Sequence, residues 1–383
     1  MSLSTPVPPQ RSPRLERSTN SGWLLLLLAW PAGAAETMRV QMGVVVASAQ
    51  VEGDSLASGE DAEDARFAPT PGRKLLVGRT QGKLTVNGQP VLGDAVRFRA
   101  GEASRDAGSL GELPLTVNGM VVRGDVVAVL APGGVLLVNV LPLEDYLVGV
   151  LGSEMPKAFP LEALKAQAVA ARTYALQKKL EQYGQPFHLG SSVISQVYGG
   201  LKAEDPRTRE AVEATRGLVL TFDLQPIEAY FHASCGGKTE SGANALGRDL
   251  PYLKPVSCPC GKLPTSQWSL SLTNDELKTA LGTRPSGMKV DGRTPTGRVK
   301  KVQVSPTRSL DAVTFREKLG YTRLKSLQFE LEPFKDGWAI HGQGFGHGAG
   351  LCQWGAKLLA EQGQDFRRIL SHYYPGTELQ VLY

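Results

Sequence analysis

Cysteine, histidine and aromatic residues are all sparse in this 383-residue chain, which has four Cys, five His and only 7% Phe, Trp and Tyr. Four thiols are too few for a disulfide-dense scaffold. There is no block of Lys or Arg and no interleaving of basic with aromatic residues, which argues against nucleic acid as a partner. The glycine-rich stretch near the C-terminus lacks the Lys-Ser/Thr pair of a phosphate-binding loop and follows no βαβ pattern, which excludes nucleotide binding. Nor is there an apolar run of the roughly 20 residues needed to span a bilayer. What is present is ordinary for a globular protein: 42% hydrophobic and 21% charged residues, enough for one large domain or two small ones.

Residues 1–35 differ from the rest. Arg11, Arg14 and Arg17 precede the apolar run Trp23 to Trp30, which is followed by Pro31 and Ala32-Gly33-Ala34-Ala35. A basic region, a short apolar core and a small-residue exit are the parts of a secretory signal, so export to the periplasm or cell envelope with cleavage near Ala34 or Ala35 is expected. The alternative is an uncleaved membrane anchor. No Cys stands near the exit, which argues against a lipoprotein. Losing this segment would lower the formal charge from +5 to about +3, a mild excess that says little about partners.

The remainder, 36–383, reads as α+β. Residues 36–141 are strand and turn: Asn87-Gly88 and Asn118-Gly119 each sit between apolar runs, the strongest short hairpin signal, and Pro132-Gly133-Gly134 repeats the idea. Near 52–72 an acidic, small and turn-rich segment reads as a flexible loop. Within 142–383 the clearest element is an Ala-rich helix in which Leu161, Leu164, Ala168, Ala171 and Ala175 form an apolar stripe, with Pro160 suited to its first turn. It is expected to pack against strands, with a substrate groove between the β-rich body and the helices. A second helix is expected at Pro206 to Thr215, with Asp205 as its cap.

Just before the Ala-rich helix, Glu154 lies between the apolar flanks Val148 to Leu151 and Met155 to Phe159. Two readings follow. Lost hydration can raise its pKa and make it a general acid near neutral pH, or it can be a helix-approach carboxylate that accepts from backbone N–H groups. Lys165 and Arg172 share a helical face, as ligand contacts or as an ordinary solvated stripe. The cysteines are Cys235, Cys258, Cys260 and Cys352. His232 with Cys235, Cys258 and Cys260 supplies one imidazole and three thiols, a set able to close a tetrahedral zinc site; the competing reading is a disulfide from Cys235 to Cys258 or Cys260. Ser234 and Gly236 belong to a stretch with two readings, a turn whose glycines let backbone approach a ligand or a plain turn between strands.

The run DYLVGVLGSEMPKAFPLEALKAQAVAARTYAL closely resembles the signature segment of the stage II sporulation protein D / LytB family, and FHASCGGKTESGA (231–243) and GQGFGHGAGLCQWGA (342–356) resemble its later elements in the same order. The likeness runs from about Arg39 onward. It implies a peptidoglycan lytic transglycosylase in which Glu154 is the catalytic acid. It implies binding roles for His347 and Gln353, and Lys165, Arg172, Tyr198, Ser234 and Gly236 complete the candidate binding set. Many relatives carry Ser where this chain has Cys352, so that residue is not read as a nucleophile. Zinc on His and Cys residues in some relatives implies a structural metal here, none being required for the chemistry. One acid suffices for such an enzyme, whereas ordinary glycosidases pair two carboxylates. Asp145 is the nearest second carboxylate, ahead of Glu144 and Glu162. The implied partners are peptidoglycan glycan strands and, in the alternative reading, a cell-wall amidase: LytB-type members enhance an N-acetylmuramoyl-L-alanine amidase without cutting glycan, and that non-catalytic role is the alternative.

Overall fold

The computed structural model describes residues 36–61, 66–101, 110–190 and 196–383. The signal-like segment 1–35 lies outside them. Two sheets make up most of the N-terminal third, antiparallel apart from the parallel pairing of Thr37–Gln41 with Leu189–Gly190. At the heart of the seven-stranded one is Gly134–Pro142, whose residues are buried from Gly134 to Leu141. It pairs with Thr37–Gln41 on one side and Asp125–Ala131 on the other, the latter through the turn expected at Pro132-Gly133. The six-stranded sheet contains both Asn-Gly hairpins, Lys83–Val86 with Gln89–Pro90 and Leu115–Val117 with Met120–Val122. Asn87 and Asn118 take φ values of 50° and 48°, the left-handed conformation such two-residue turns require. The segment read as a loop near 52–72 departs from expectation. It carries two short strands, Ala57–Gly59 and Ala68–Pro69, which extend the larger sheet beyond Ala95–Arg99, and Asp61 in it pairs with Arg39 at 2.6 Å.

Eight helices follow among the described residues: α1 (Leu143–Glu154), α2 (Leu161–Glu181), α3 (Pro206–Glu213), α4 (Gly242–Leu246), α5 (Asn274–Leu281), α6 (Ala312–Leu319), α7 (Gln353–Glu361) and α8 (Phe366–Tyr373). Helix α2 is buried on every side rather than along one stripe, because every residue from Ala166 to Leu176 is buried. Small side chains permit this. Ala at 166, 168, 170, 171 and 175 lets α1, α3, α7, α8 and the strand Leu218–Phe222 approach the same helix. Helix α3 starts as expected, with a capping box in which Asp205 accepts from the Arg207 N–H and Thr208 returns a hydrogen bond.

Residues 267–343 enclose a core of their own. Two three-stranded sheets and helices α5 and α6 surround Trp268, Leu277, Val302, Phe315, Phe329 and Ile340. The chain leaves this unit through the glycine-rich stretch and re-enters the main body. There Leu351–Cys352 pairs in parallel with Phe231–His232, Phe231 opposite Leu351 and His232 opposite Cys352. That two-residue ladder brings the three sequence elements together.

Candidate active site and thiol cluster

Glu154 is the last residue of α1, a helix the sequence reading did not anticipate. Its carboxylate is held from two sides. Oε1 accepts from the Val197 N–H at 2.8 Å, and Oε2 lies 3.4 Å from Gln353 Nε2. Burial raises the Glu154 pKa above the ordinary carboxyl value, and those two donors counter it only in part. A place at the C-terminal end of a helix acts in the same direction as burial, because the negative end of the dipole disfavours an anion. Both readings of Glu154 therefore meet in one group: it accepts a backbone N–H and it is shifted toward the protonated form.

The geometry depends on a close approach beneath α1. A Cβ on Gly152 would stand 1.9 Å from the Ala203 carbonyl oxygen, so only glycine lets the turn Gly200–Ala203 lie against the helix at that point. Val197 is fixed by its neighbours. The Tyr146 hydroxyl donates to Gln196 Oε1 at 2.8 Å, Gln196 Nε2 donates to the Ala171 carbonyl at 3.1 Å, and the Tyr198 hydroxyl donates to Asn139 Oδ1 at 2.9 Å. Glu154 opens into a cavity of about 350 Å³ bounded by Tyr174, Tyr230, His232, Phe345, His347 and Gln353, in which it is the one carboxylate among the described residues. A second depression of about 590 Å³, lined by Glu240, Asn244, Thr294 and Arg298, shares Leu246 and His347 with the first.

On the other side of the same ladder, the sulfurs of Cys235, Cys258, Cys260 and Cys352 all lie within 4.8 Å of one another, and all four residues are buried. Cys235 and Cys260 are 3.4 Å apart and Cys352 and Cys260 3.6 Å, close to the ~3.8 Å edge of a tetrahedron with zinc–sulfur bonds of about 2.3 Å. No disulfide joins them. N–H groups of Cys235 and Gly355 each point at Cys352 Sγ at 3.3 Å, the Ser234 hydroxyl donates to Cys260 Sγ at 3.6 Å, and Tyr373 Oη lies 3.2 Å from Cys258 Sγ. Such donors suit thiolates. The residues present fit a structural metal, and a zinc ion bound by four sulfurs would have no open position for water or substrate.

A family model described as stage II sporulation protein (SpoIID) matches residues 132–222, from the central strand through α1, α2 and α3. The stage II sporulation protein D of Bacillus subtilis is 35% identical over 260 residues, covering 62% of this chain and 74% of that protein. The chain belongs to the stage II sporulation protein D family. An uncharacterized protein of Brachyspira hyodysenteriae is 34% identical over 271 residues, covering 69% of this chain and 73% of that one. A Bacillus subtilis protein named amidase enhancer is 32% identical over 290 residues, 61% of this chain but 40% of its own length. A second model, described as a domain of unknown function (DUF8618), matches residues 265–350, the segment with its own core.

Against this member of the family the sequence-derived site divides. Glu154, His347 and Gln353 come together in the cavity. Arg172 does not reach it: its guanidinium is fully buried, gripping Glu144 at 2.6 and 2.9 Å and the carbonyls of Leu218 and Val212 at 3.2 Å each, so it ties α1, α2 and α3 together. Lys165 pairs with Glu162 at 2.7 Å and does not line the cavity. Tyr198 is buried with its hydroxyl spent on Asn139, and Ser234 is buried with its hydroxyl 2.9 Å from Ser266 Oγ. Gly236, at φ 74°, forms the turn beside the thiols rather than the cavity wall. The suggested second carboxylates are engaged elsewhere, Asp145 with Arg209 at 3.3 Å, Glu144 with Arg172, and Glu162 with Lys165 and the Phe366 N–H.

The metal set is corrected in one member: Cys352 takes the fourth place given to His232. His232 Nδ1 instead donates to the Ala349 carbonyl at 3.0 Å. His347 lines the cavity, but its Nε2 donates to the Phe231 carbonyl at 2.8 Å and its Nδ1 accepts from the Ala349 N–H at 3.1 Å. Burial pushes the His347 pKa down to about 4, so the ring is neutral at ordinary pH. Sequence reasoning passed over the Val197 N–H, which has no side-chain signal, and Tyr230, whose only trace was its place beside the FHASC element.

Proposed function

We propose that this chain is a peptidoglycan lytic transglycosylase with Glu154 as its general acid and base. The observation that carries the reading is a single carboxyl, shifted by burial toward its protonated form, in the wall of a cavity that no other carboxylate lines among the described residues. Asp145 lies nine residues back along α1, about 13 Å of helix rise from Glu154, which exceeds the ~5–9.5 Å separation of paired glycosidase carboxylates. One acid is enough if the substrate supplies its own nucleophile.

In that reaction Glu154 donates its proton to the bridging oxygen between N-acetylmuramic acid and N-acetylglucosamine as the C1–O bond breaks. The carboxylate so formed takes the proton of the muramoyl C6 hydroxyl, whose oxygen closes on C1 to give a 1,6-anhydro end, and the acid is restored. The Val197 N–H and Gln353 stabilise the intermediate carboxylate. The two depressions that meet at Leu246 and His347 give an extended strand room on either side. Peptide-free strands suit this path, and the signal-like residues 1–35 would deliver the protein to its substrate by export.

Purified peptide-free glycan strands digested by the chain and by Glu154→Gln, with products weighed by mass spectrometry, test the reading. Products one water lighter than hydrolysis fragments, absent with the variant, are expected. Products of hydrolysis mass would refute the anhydro mechanism. A second reading, a non-catalytic enhancer of an amidase, is favoured by the likeness to the protein of that name. It predicts no cutting, and amidase stimulation that Glu154→Gln retains.

A further inference from the structure

His232 lines the Glu154 cavity and is 5% exposed, yet its Nε2 is buried with no hydrogen-bond partner. Its tautomer is fixed. A carbonyl can only accept, so the 3.0 Å contact with Ala349 places the proton on Nδ1 and leaves Nε2 with an unshared lone pair. His347, with both nitrogens committed to backbone, shows the contrasting case 5.3 Å away. Buried acceptors in native proteins are satisfied by protein, water or ligand, and an unsatisfied one calls for an explanation. The four sulfurs do not supply it, because no His232 nitrogen belongs to their cluster.

The surroundings indicate what kind of partner fits. Tyr174 and Tyr230 have ring centroids 5.5 Å apart, Tyr230 and His347 5.9 Å, and the series ends at His232. An aromatic wall ending in one fixed acceptor, in a cavity that also holds one acid, matches a sugar ring, which has an apolar C–H face and a rim of O–H and N–H donors. We propose that His232 is a ligand-binding residue whose Nε2 accepts a hydrogen bond from an acetamido N–H or a hydroxyl of the sugar bound beside Glu154. The inference rests on the reading of this cavity as a glycan site and adds to it the group that orients the sugar.

The test is long-range proton–nitrogen NMR of the full chain labelled with ¹⁵N-histidine, carrying Glu154→Gln so that ligand is not consumed. Before addition, His232 should give a proton-bearing Nδ1 and an unprotonated Nε2. Peptide-free glycan strands should move the Nε2 resonance toward the hydrogen-bonded range and leave His188, His341 and His372 in place. Chitotriose producing the same shift while cellotriose does not assigns the donor to the acetamido N–H; equal shifts assign it to a hydroxyl. In the same Glu154→Gln background, adding His232→Phe should weaken strand binding about tenfold, and His232→Gln, which keeps an acceptor, should recover most of it. An unmoved Nε2 in the presence of strands overturns the proposal, as does a shift on adding zinc alone. The two readings separate cleanly: strands cut by the active chain without an Nε2 shift keep the transglycosylase and remove this role for His232. A shift with strands that are never cut does the reverse.

Discussion

The cavity and the thiol cluster share one two-residue ladder and use it in opposite ways. Cys352 turns to the cluster and the next residue, Gln353, turns to Glu154. The cluster is closed: four like groups are buried and bonded among themselves, and a Cβ on Gly355 would meet Cys258 Sγ at 2.4 Å and the Tyr373 hydroxyl at 2.0 Å. The cavity is open and its groups are unlike, an acid with a raised pKa, a neutral imidazole and a buried acceptor with no partner. Satisfied groups contribute stability, whereas unsatisfied ones are retained where a ligand completes them.

The contrast breaks if substitutions on the two sides have similar effects. The largest expected effect is at Glu154. Glu154→Gln should lower strand cleavage by about 10²–10⁴, measured as anhydro products per unit time. Its effect on stability has the opposite sign. A raised folded pKa means that the carboxyl's contribution to stability is present below the ordinary value of 4.5 and is lost as pH rises through the raised value. The melting temperature of the wild type should therefore decline over that interval, and that of Glu154→Gln should not. Cleavage by the wild type should fall over the same interval as the acid loses its proton.

Next in size is Arg172→Ala. Removing a fully buried guanidinium that holds Glu144 and the carbonyls of Val212 and Leu218 should cost about 3–5 kcal/mol in chemical denaturation. A ligand-contact role for Arg172 would instead raise KM and leave stability alone. On the cluster side, chelation under reducing conditions, or Cys260→Ala, should lower the melting temperature by roughly 5–10 °C, with zinc release followed by a chromophoric indicator. An unchanged melting temperature would remove the structural role. The smallest effect is expected at Gln353→Ala. Its 3.4 Å contact is long, so activity at the optimum should change less than about threefold. Because that donor favours the anion, its loss should move the alkaline limb of the pH–rate profile to higher pH.

The hairpins at Asn87 and Asn118, helix α2 and the capped start of α3 were legible because each is specified by a few adjacent residues. Helix α1 was not. It continues from a strand buried along almost its whole length, and seven of its own residues are buried, so its apolar pattern has no polar face to reveal a helical period. Lys165 and Arg172 share a face as expected, but periodicity cannot say that the face meets other protein rather than solvent. The hydrogen bonding of the two histidines was hidden for a similar reason. The carbonyls of Ala349 and Phe231 decide which ring nitrogen is spent, and backbone positions leave no trace in residue types. Cys352 stands 92 residues from Cys260, and the parallel ladder that brings its strand beside Phe231–His232 leaves no signal in local spacing.

Gln353 and Glu154 are 199 residues apart, and that separation bears on the order in which the molecule forms. Contacts between distant segments carry a large loop-closure entropy and tend to form late, after local helices and hairpins. The acid's own helix can form early, but the Gln353 side of its site arrives only when Leu351–Cys352 docks beside Phe231–His232. A chain that is still folding thus carries Glu154 without the neighbours that enclose it. Completion of the cavity around this acid becomes a late event in folding, coupled to the docking step that also gathers the four thiols.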